Sequence, residues 1–156
     1  MAVKSSVQDL KHIGMTCFNV SLRRTTRLIT SYYDSVLKPS GLRITQFTIL
    51  VGIAHEKECS ITDLARITDI DRTTLQRSLE ILRRDGWIRV EKKETGNVRL
   101  LFLTKRGESK LEESILLWKK AQAELTDSLG KSKFKETLKL LSEIRRLSVL
   151  ESMQEI

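Results

Sequence analysis

The sequence predicts a mainly helical fold with one small β-hairpin, and three observations predict it. The 156 residues include one Pro and seven Gly, with 40% hydrophobic and 31% charged side chains, which is typical of a folded, helix-rich protein. Apolar residues in most of the segments recur with helical spacing. Residues 87–91 instead alternate apolar and polar side chains, residues 98–104 are rich in apolar and β-compatible side chains, and a Gly-containing turn lies between them, as in a β-hairpin.

The first long helix is predicted from about Thr16 to Leu37. No Gly or Pro interrupts this stretch before the stop signal Lys38-Pro39-Ser40-Gly41. Thr45 is then expected to cap a short, buried helix that ends at the polar break 55–59. The inward face of this helix should consist of Phe47, Leu50, Val51 and Ala54.

Two further helices are predicted close together in the middle of the chain. Ser60 stands three residues before Asp63, a variant of the capping box, and starts a short helix. After the link 68–70, Asp71 caps a second helix that runs to about Arg84 and closes at Asp85-Gly86. A short helix, a tight turn and a longer helix make a helix-turn-helix arrangement. The inward face of the short helix is predicted to be Leu64, Ala65 and Ile67.

The longer of these two helices has an apolar and a polar side. At about 100° per residue, one side carries Leu75, Leu79, Ile81 and Leu82. The other side carries Arg72, Thr73, Gln76, Arg77, Glu80, Arg83 and Arg84. Guanidinium, carboxamide and Thr methyl groups suit guanine, adenine and thymine edges. A solvated helix face is the alternative interpretation, and the preceding short helix favours base contact.

The predicted hairpin follows directly. Residues 87–91 and 98–104 form its strands, and residues 92–97 form its turn. Lys92 and Lys93 beside Gly96 suit a wing that lies along a phosphate backbone or enters a minor groove. Lysines at a hairpin tip otherwise serve solubility. Hairpin and helix pair together predict a winged helix-turn-helix unit.

Two helices are predicted to end the chain, from about Thr104 to Leu129 and from Ser132 to about Ser152, separated by Gly130-Lys131. Their apolar faces comprise Leu111, Ile115, Trp118, Leu125 and Leu129 in the first, and Phe134, Leu138, Leu141, Ile144 and Leu147 in the second. We expect a second copy of the chain to cover these faces, and a monomer with a helical cap is the alternative.

The predicted organisation has three parts. Residues 1–38 hold the N-terminal helix of the dimerisation region, residues 42–104 form the winged helix-turn-helix unit, and residues 105–156 form the C-terminal dimerisation helices.

The formal net charge of +8 comes from the first two thirds of the chain. Lys and Arg outnumber Asp and Glu by 8 to 4 in residues 1–60 and by 11 to 7 in residues 61–107, whereas residues 108–156 hold 9 of each. A basic excess confined to the predicted winged unit and the segment before it favours a polyanionic partner, with nucleic acid the first to test.

Enzyme and metal chemistry find no support in the sequence. Cys17, Cys59, His12 and His55 have no metal-binding spacing, and no nucleophile elbow, P-loop or dinucleotide fingerprint occurs. We therefore expect neither catalysis, nor a cofactor, nor a metal. No apolar run reaches the ~18 residues of a membrane span, and no signal peptide opens the chain, so a cytosolic protein without membrane contact is expected.

Taken together, these residues resemble the MarR family of winged helix-turn-helix transcriptional regulators. The resemblance covers roughly Cys17 to Leu129 and is most specific in residues 22–50, in residues 61–88 and in the step Leu103-Thr104-Lys105-Arg106-Gly107. It implies a homodimer with interleaved N- and C-terminal helices. Each subunit would present one winged unit to a palindromic operator in double-stranded DNA.

The resemblance also implies roles for individual residues. The contacts to the major groove would come from Arg72, Thr73, Thr74, Gln76 and Arg77. Ser60 and Thr62 would approach phosphates. The wing departs from the family's Asp-Arg-Arg type of sequence, because Glu94-Thr95-Gly96-Asn97 stands there. Contact by the wing then falls to Lys92, Lys93, Asn97 or Arg99.

Regulation is implied in two forms. Many family members release DNA when a small aromatic or phenolic compound enters the cleft between the dimerisation helices and the winged unit. Another branch senses peroxide through a cysteine of the first helix, where Cys17 is the candidate and Cys59, in a predicted loop, the weaker one. Ser21 stands four residues after Cys17, so the tyrosines of that branch have no clear counterparts. We therefore predict a ligand-responsive repressor, with a redox-sensing repressor or a protein-interaction module as alternatives.

Overall fold

The computed structural model describes residues 7–56, 58–92 and 98–147, and it confirms a mainly helical fold with a small sheet. The elements are, in order, α1 (Val7–Thr16), α2 (Phe18–Leu37), a 3-10 turn (Lys38–Ser40), α3 (Ile44–His55), β1 (Cys59–Ser60), α4 (Ile61–Thr68), α5 (Arg72–Arg84), β2 (Ile88–Lys92), β3 (Arg99–Leu103), α6 (Lys105–Leu129) and α7 (Lys131–Ile144). The chain divides into two compact units, residues 1–118 and 119–156, with the boundary inside α6.

The N-terminal part holds two helices where the sequence predicted one. Cys17 separates α1 from α2 with an extended ψ of 114°. Helix α2 matches the predicted long helix and ends at Leu37, where the Pro-containing 3-10 turn begins.

The cap of α3 was predicted wrongly. The helix begins at Ile44, so Thr45 lies inside its first turn. The backbone N–H of Ile44 donates instead to the Asp34 carboxylate of α2 at 2.7 Å. The N–H of Arg43 donates to the Gln46 side chain at 2.9 Å. A side chain ten residues away therefore does what a local cap was expected to do.

Helix α3 is apolar nearly all round, and this explains an error in its predicted face. Phe47 and Leu50 are buried as expected, but Val51 is 40% exposed and Ala54 is also exposed. Ile49 and Ile53 fill the core in their place. When most positions are apolar, periodicity does not select one side. Ile67 of α4, predicted to face inward, is likewise 39% exposed.

The helix-turn-helix is confirmed, with a tight turn between α4 and α5. Asp69 takes a left-handed conformation with φ 51° at the end of α4. Ile70 then packs against the core and anchors the turn. Asp71 caps α5, which runs from Arg72 to Arg84 as predicted.

A three-stranded antiparallel sheet in the order β1-β3-β2 follows the helix pair. In the hairpin, Ile88 pairs with Leu103 and Lys92 with Arg99. The third strand was not predicted: Cys59 pairs with Leu101 of β3 and does not lie in a loop. Two residues are too few to show the alternation that marks a strand.

The core of the first unit lies beneath the helix pair and includes the start of α6. It comprises Leu37, Leu42, Phe47, Ile49, Leu50, Ile53, Cys59, Leu64, Leu75, Leu79, Leu82, Ile88, Leu101 and Leu111. Trp118 of α6 stacks on Phe47 with ring centroids 6.3 Å apart. The first turns of α6 therefore belong to the unit that holds α5 and the hairpin.

The second unit begins within α6 and contains α7. Gly130 alone separates the two helices, because α7 starts at Lys131. Leu138, Leu141 and Leu147 are 52%, 39% and 49% exposed, whereas Phe134 and Ile144 are partly buried, so the described residues cover the predicted apolar face only in part. The predicted end of this helix near Ser152 lies outside those residues.

Candidate nucleic-acid interface

Helix α5 divides into a buried and an exposed side. Leu75, Ser78, Leu79 and Leu82 are buried. The exposed positions at its N-terminal end are Arg72, Thr73, Thr74, Gln76 and Arg77, the five that the sequence singled out. The structure thus brings these predicted residues together on one accessible surface at the start of the helix.

Asp71 holds the start of α5 rather than joining this surface as a base-reading group. Its carboxylate accepts from the N–H of Thr74 at 2.9 Å. Hydrogen bonds from Thr74 hold the pKa of Asp71 below its usual value, so the carboxylate is charged at neutral pH. A negative charge at this end stabilises the helix.

Ser60 and Thr62 at the start of α4 differ in how available they are for contact with a phosphate. The Ser60 hydroxyl donates to the Asp63 carboxylate at 2.5 Å and accepts from the N–H of Asp63 at 3.1 Å. Bonding to Ser60 lowers the pKa of Asp63. The predicted capping box is therefore present, and the hydroxyl hydrogen of Ser60 is occupied by its bond to Asp63. Thr62 is exposed.

The wing has two cations opposite each other at the described end of the hairpin. Lys92 and Arg99 are Cα partners across β2 and β3, and both are exposed. Like charges directly opposite each other destabilise a strand pair. The other two predicted wing residues, Lys93 and Asn97, lie outside the described residues.

Arg89 is a wing cation that is already engaged. Its Nε donates to Glu91 at 2.6 Å, and a terminal nitrogen donates to the carbonyl of Leu103 at 3.1 Å. The guanidinium also lies 4.8 Å from the centroid of the Phe102 ring. Arg89 thus braces the base of the hairpin.

Comparison with known proteins identifies the family. The sequence pattern that defines the MarR family matches residues 40–96. The crystal structure of the Mycobacterium tuberculosis transcriptional regulator MosR superposes with a TM-score of 0.73 and 32% identity, covering 85% of this chain and 97% of that one. The chain belongs to the MarR family of transcriptional regulators.

A second structure of MosR and one further relative agree with this placement. The structure of MosR in complex with DNA is 34% identical, with a TM-score of 0.66 and coverage of 85% of this chain and 98% of that one. The HTH-type transcriptional regulator YwoH of Bacillus subtilis (strain 168) is 25% identical over 104 residues, which are 67% of this chain and 76% of that protein. These relatives are transcriptional regulators, not enzymes, and the chain is a DNA-binding regulator of the MarR type.

This MarR-family chain has an open cleft of about 420 Å³ at the base of the wing. Its walls are the end of α3, both hairpin strands and the first turns of α6. The lining consists of Ile53, Ala54, Arg89, Phe102, Leu103, Glu108, Leu111, Glu112 and Ile115. Apolar side chains and the ring of Phe102 line it, and the carboxylates of Glu108 and Glu112 stand one helical turn apart on the α6 side.

The two cysteines of the MarR-family chain lie in different surroundings. Cys59 is fully buried, and burial, with the negative charges of Asp63 and Glu56, raises the pKa of its thiol to about 11. This thiol stays protonated at neutral pH and is unreactive. Cys17 is half-buried between α1 and α2. The described residues hold no group of His, Cys, Asp and Glu suited to a metal.

Two side chains that join elements were not assigned from the sequence. Asp34 binds the start of α3, and the Thr104 hydroxyl donates to the carbonyl of Gly86 at 2.7 Å. Their partners stand 10 and 18 residues away. Local spacing carries no signal for such bonds.

Within the part of the chain that the structure describes, no helix is long and apolar enough to cross a membrane.

Proposed function

We propose that the chain is a cytoplasmic repressor that binds a palindromic operator as a homodimer and reads it through α5. The observation that carries this proposal is the exposed polar surface at the start of α5. The side chains of Arg72, Gln76 and Arg77 are exposed, and the one interaction recorded for them among the described residues is the attraction between the charges of Arg77 and Asp71. Exposed guanidinium and carboxamide groups at a helix N-terminus suit the major groove.

Phosphate contact is proposed for a second set of residues. Thr62 is exposed at the start of α4, whereas Ser60 contributes by holding that helix in place. The opposed cations Lys92 and Arg99 repel each other in the free protein, and a phosphate between them removes this repulsion. Lys93 and Asn97 stay in the proposal as wing contacts on sequence grounds.

A homodimer is supported by apolar surface that the single chain leaves exposed. In α1, Leu10, Ile13 and Met15 are 53%, 57% and 81% exposed, and in α7 Leu138 is 52% exposed. Such residues rarely stay in contact with water in quantity on a monomer. We infer that a second copy covers them, with residues 1–38 and 105–156 as the dimerisation parts and residues 42–104 as the DNA-binding unit.

The cleft at the base of the wing is the proposed effector site. Its lining includes the apolar side chains of Ile53 and Leu111 and the ring of Phe102, which favour the binding of an aromatic ring. Glu108 and Glu112 place two carboxylates beside it, and Arg89, the cation in the lining, is already paired with Glu91, so an anionic ligand is disfavoured. We therefore infer that the effector is an uncharged phenol rather than a benzoate. Phenol should lower DNA affinity, and benzoate at the same concentration should leave it unchanged.

The test is selection of a binding site from random duplex DNA, followed by fluorescence anisotropy at several salt concentrations. We expect a palindrome bound with nanomolar affinity and a slope of log K against log salt of several units, because each neutralised phosphate contributes about −0.9. Enrichment of no sequence, with equal weak binding to every duplex, would contradict the repressor and favour a protein-interaction module.

A further inference from the structure

Thr104, between β3 and α6, binds two segments at once through its hydroxyl. The Oγ1 atom donates to the carbonyl of Gly86 at 2.7 Å and accepts from the N–H of Gly107 at 3.0 Å. Its backbone N–H donates to the carbonyl of Trp87 at 3.1 Å. One half-buried residue therefore satisfies donors and acceptors on both sides of the hairpin base.

Gly86 belongs to the end of the DNA-reading helix. Its φ of +74° closes α5, and its N–H donates to the carbonyl of Arg83 at 3.0 Å. The N–H of Trp87 donates to the carbonyl of Leu82 at 2.9 Å. The carbonyl that accepts from Thr104 is thus held by the last turn of α5.

Gly107 brings the first turn of α6 against the same segment. A Cβ built on Gly107 would lie 2.9 Å from the carbonyl carbon of Trp87 and would overlap its oxygen. On the next turn, Lys110 Nζ lies 5.8 Å from the centroid of the Trp87 ring. Backbone approaches backbone here, and the Thr104 hydroxyl lies at the junction.

We propose that Thr104 is a positioning residue that fixes the end of α5 against the start of α6. This inference rests on the proposed palindrome-binding dimer, in which α6 is itself one of the dimerisation helices. A fixed junction between α5 and α6 sets the separation of the two reading helices. Thr104 thereby determines which spacing of operator half-sites the dimer accepts.

The matched variants are Thr104→Val, which keeps the shape and removes the hydroxyl, and Thr104→Ser, which keeps the hydroxyl. Hydrogen exchange of the Gly107 amide tests the α6 side of this junction without DNA. In Thr104→Val we expect this amide to exchange about tenfold faster or more, because its acceptor is lost, and in Thr104→Ser to match the unmodified chain. Unchanged exchange in Thr104→Val would overturn the proposal.

The second readout is spacing preference. Affinities are measured for the selected palindrome and for a version with one base pair inserted between the half-sites. The unmodified chain and Thr104→Ser should discriminate between them about tenfold or more, and Thr104→Val about threefold or less. Equal weakening on both duplexes, with the ratio unchanged, would show a loss of stability alone and would overturn the positioning role.

The two readouts separate this proposal from the proposed function. An unmodified chain without preference for either duplex would contradict the palindrome-binding dimer and, with it, the spacing role of Thr104. Faster exchange of the Gly107 amide in Thr104→Val would still establish that the hydroxyl caps the start of α6.

Discussion

Replacing Lys92 with Glu should lower DNA affinity and raise folding stability. In Lys92→Glu an opposite-charge pair replaces two opposed cations, so the free energy of unfolding should rise by about 0.2–1 kcal/mol. DNA affinity should fall about tenfold, and the salt slope should decrease by about one unit, because a phosphate contact is lost. Anisotropy and urea denaturation measure the two effects.

Lys119→Glu is the control for this change, because Lys119 is an exposed α6 residue and the substitution changes the net charge equally. It should weaken DNA binding much less. An equal fall in affinity for both variants would mean that the wing acts through net charge and makes no specific phosphate contact.

The two thiols should differ in reactivity. Cys59 is fully buried with a pKa raised to about 11, so a thiol reagent at pH 8 should label Cys17 and leave Cys59 until the chain unfolds. Any response of DNA binding to peroxide should then disappear in Cys17→Ser and persist in Cys59→Ser. Rapid labelling of Cys17→Ser in the folded state would contradict the burial of Cys59.

Helix α3 and strand β1 show what the sequence could and could not predict. The helix-turn-helix was predictable because Asp71, Gly86 and the apolar side of α5 act locally. The cap of α3 was not, since Asp34 reaches it from another helix. Cys59 gave no strand signal, because a strand of two residues shows no alternation and is recognised only by its pairing with Leu100 and Leu101 of β3. The five α5 residues were located correctly on one surface, and their contacts with DNA stay a prediction.

The junction between the hairpin and α6 depends on the absence of a side chain at one position. Gly107→Ala places a methyl group against the Trp87 carbonyl, so one backbone must shift. We expect a loss of about 1–3 kcal/mol in the free energy of unfolding, measured by denaturant titration. Gly14→Ala is the control, because a Cβ at Gly14 of α1 meets nothing within 4 Å. That variant should be neutral or stabilised by up to about 1 kcal/mol, and equal losses in both would contradict the close approach.

The molecule as a whole is expected to be a dimer of 18.0 kDa chains. Leu138→Lys with Leu141→Lys puts two charges on the exposed apolar face of α7, so sedimentation should show a monomer. Affinity for the palindrome should fall towards that of a single half-site. Leu138→Ala with Leu141→Ala should give an intermediate dissociation constant. A lysine variant that stays dimeric would exclude this face from the interface.

The central claim is that the start of α5 reads the operator. The most direct measurement is the fluorescence anisotropy of the selected palindrome with the double variant Arg72→Ala, Arg77→Ala. The control is the double variant Arg145→Ala, Arg146→Ala, which removes the same charge from exposed residues at the end of α7. The α5 variant should lose about 1–3 kcal/mol of binding free energy per arginine that contacts a base, together with its preference for the palindrome. The control should retain that preference. Unchanged operator affinity in the α5 variant would contradict the account.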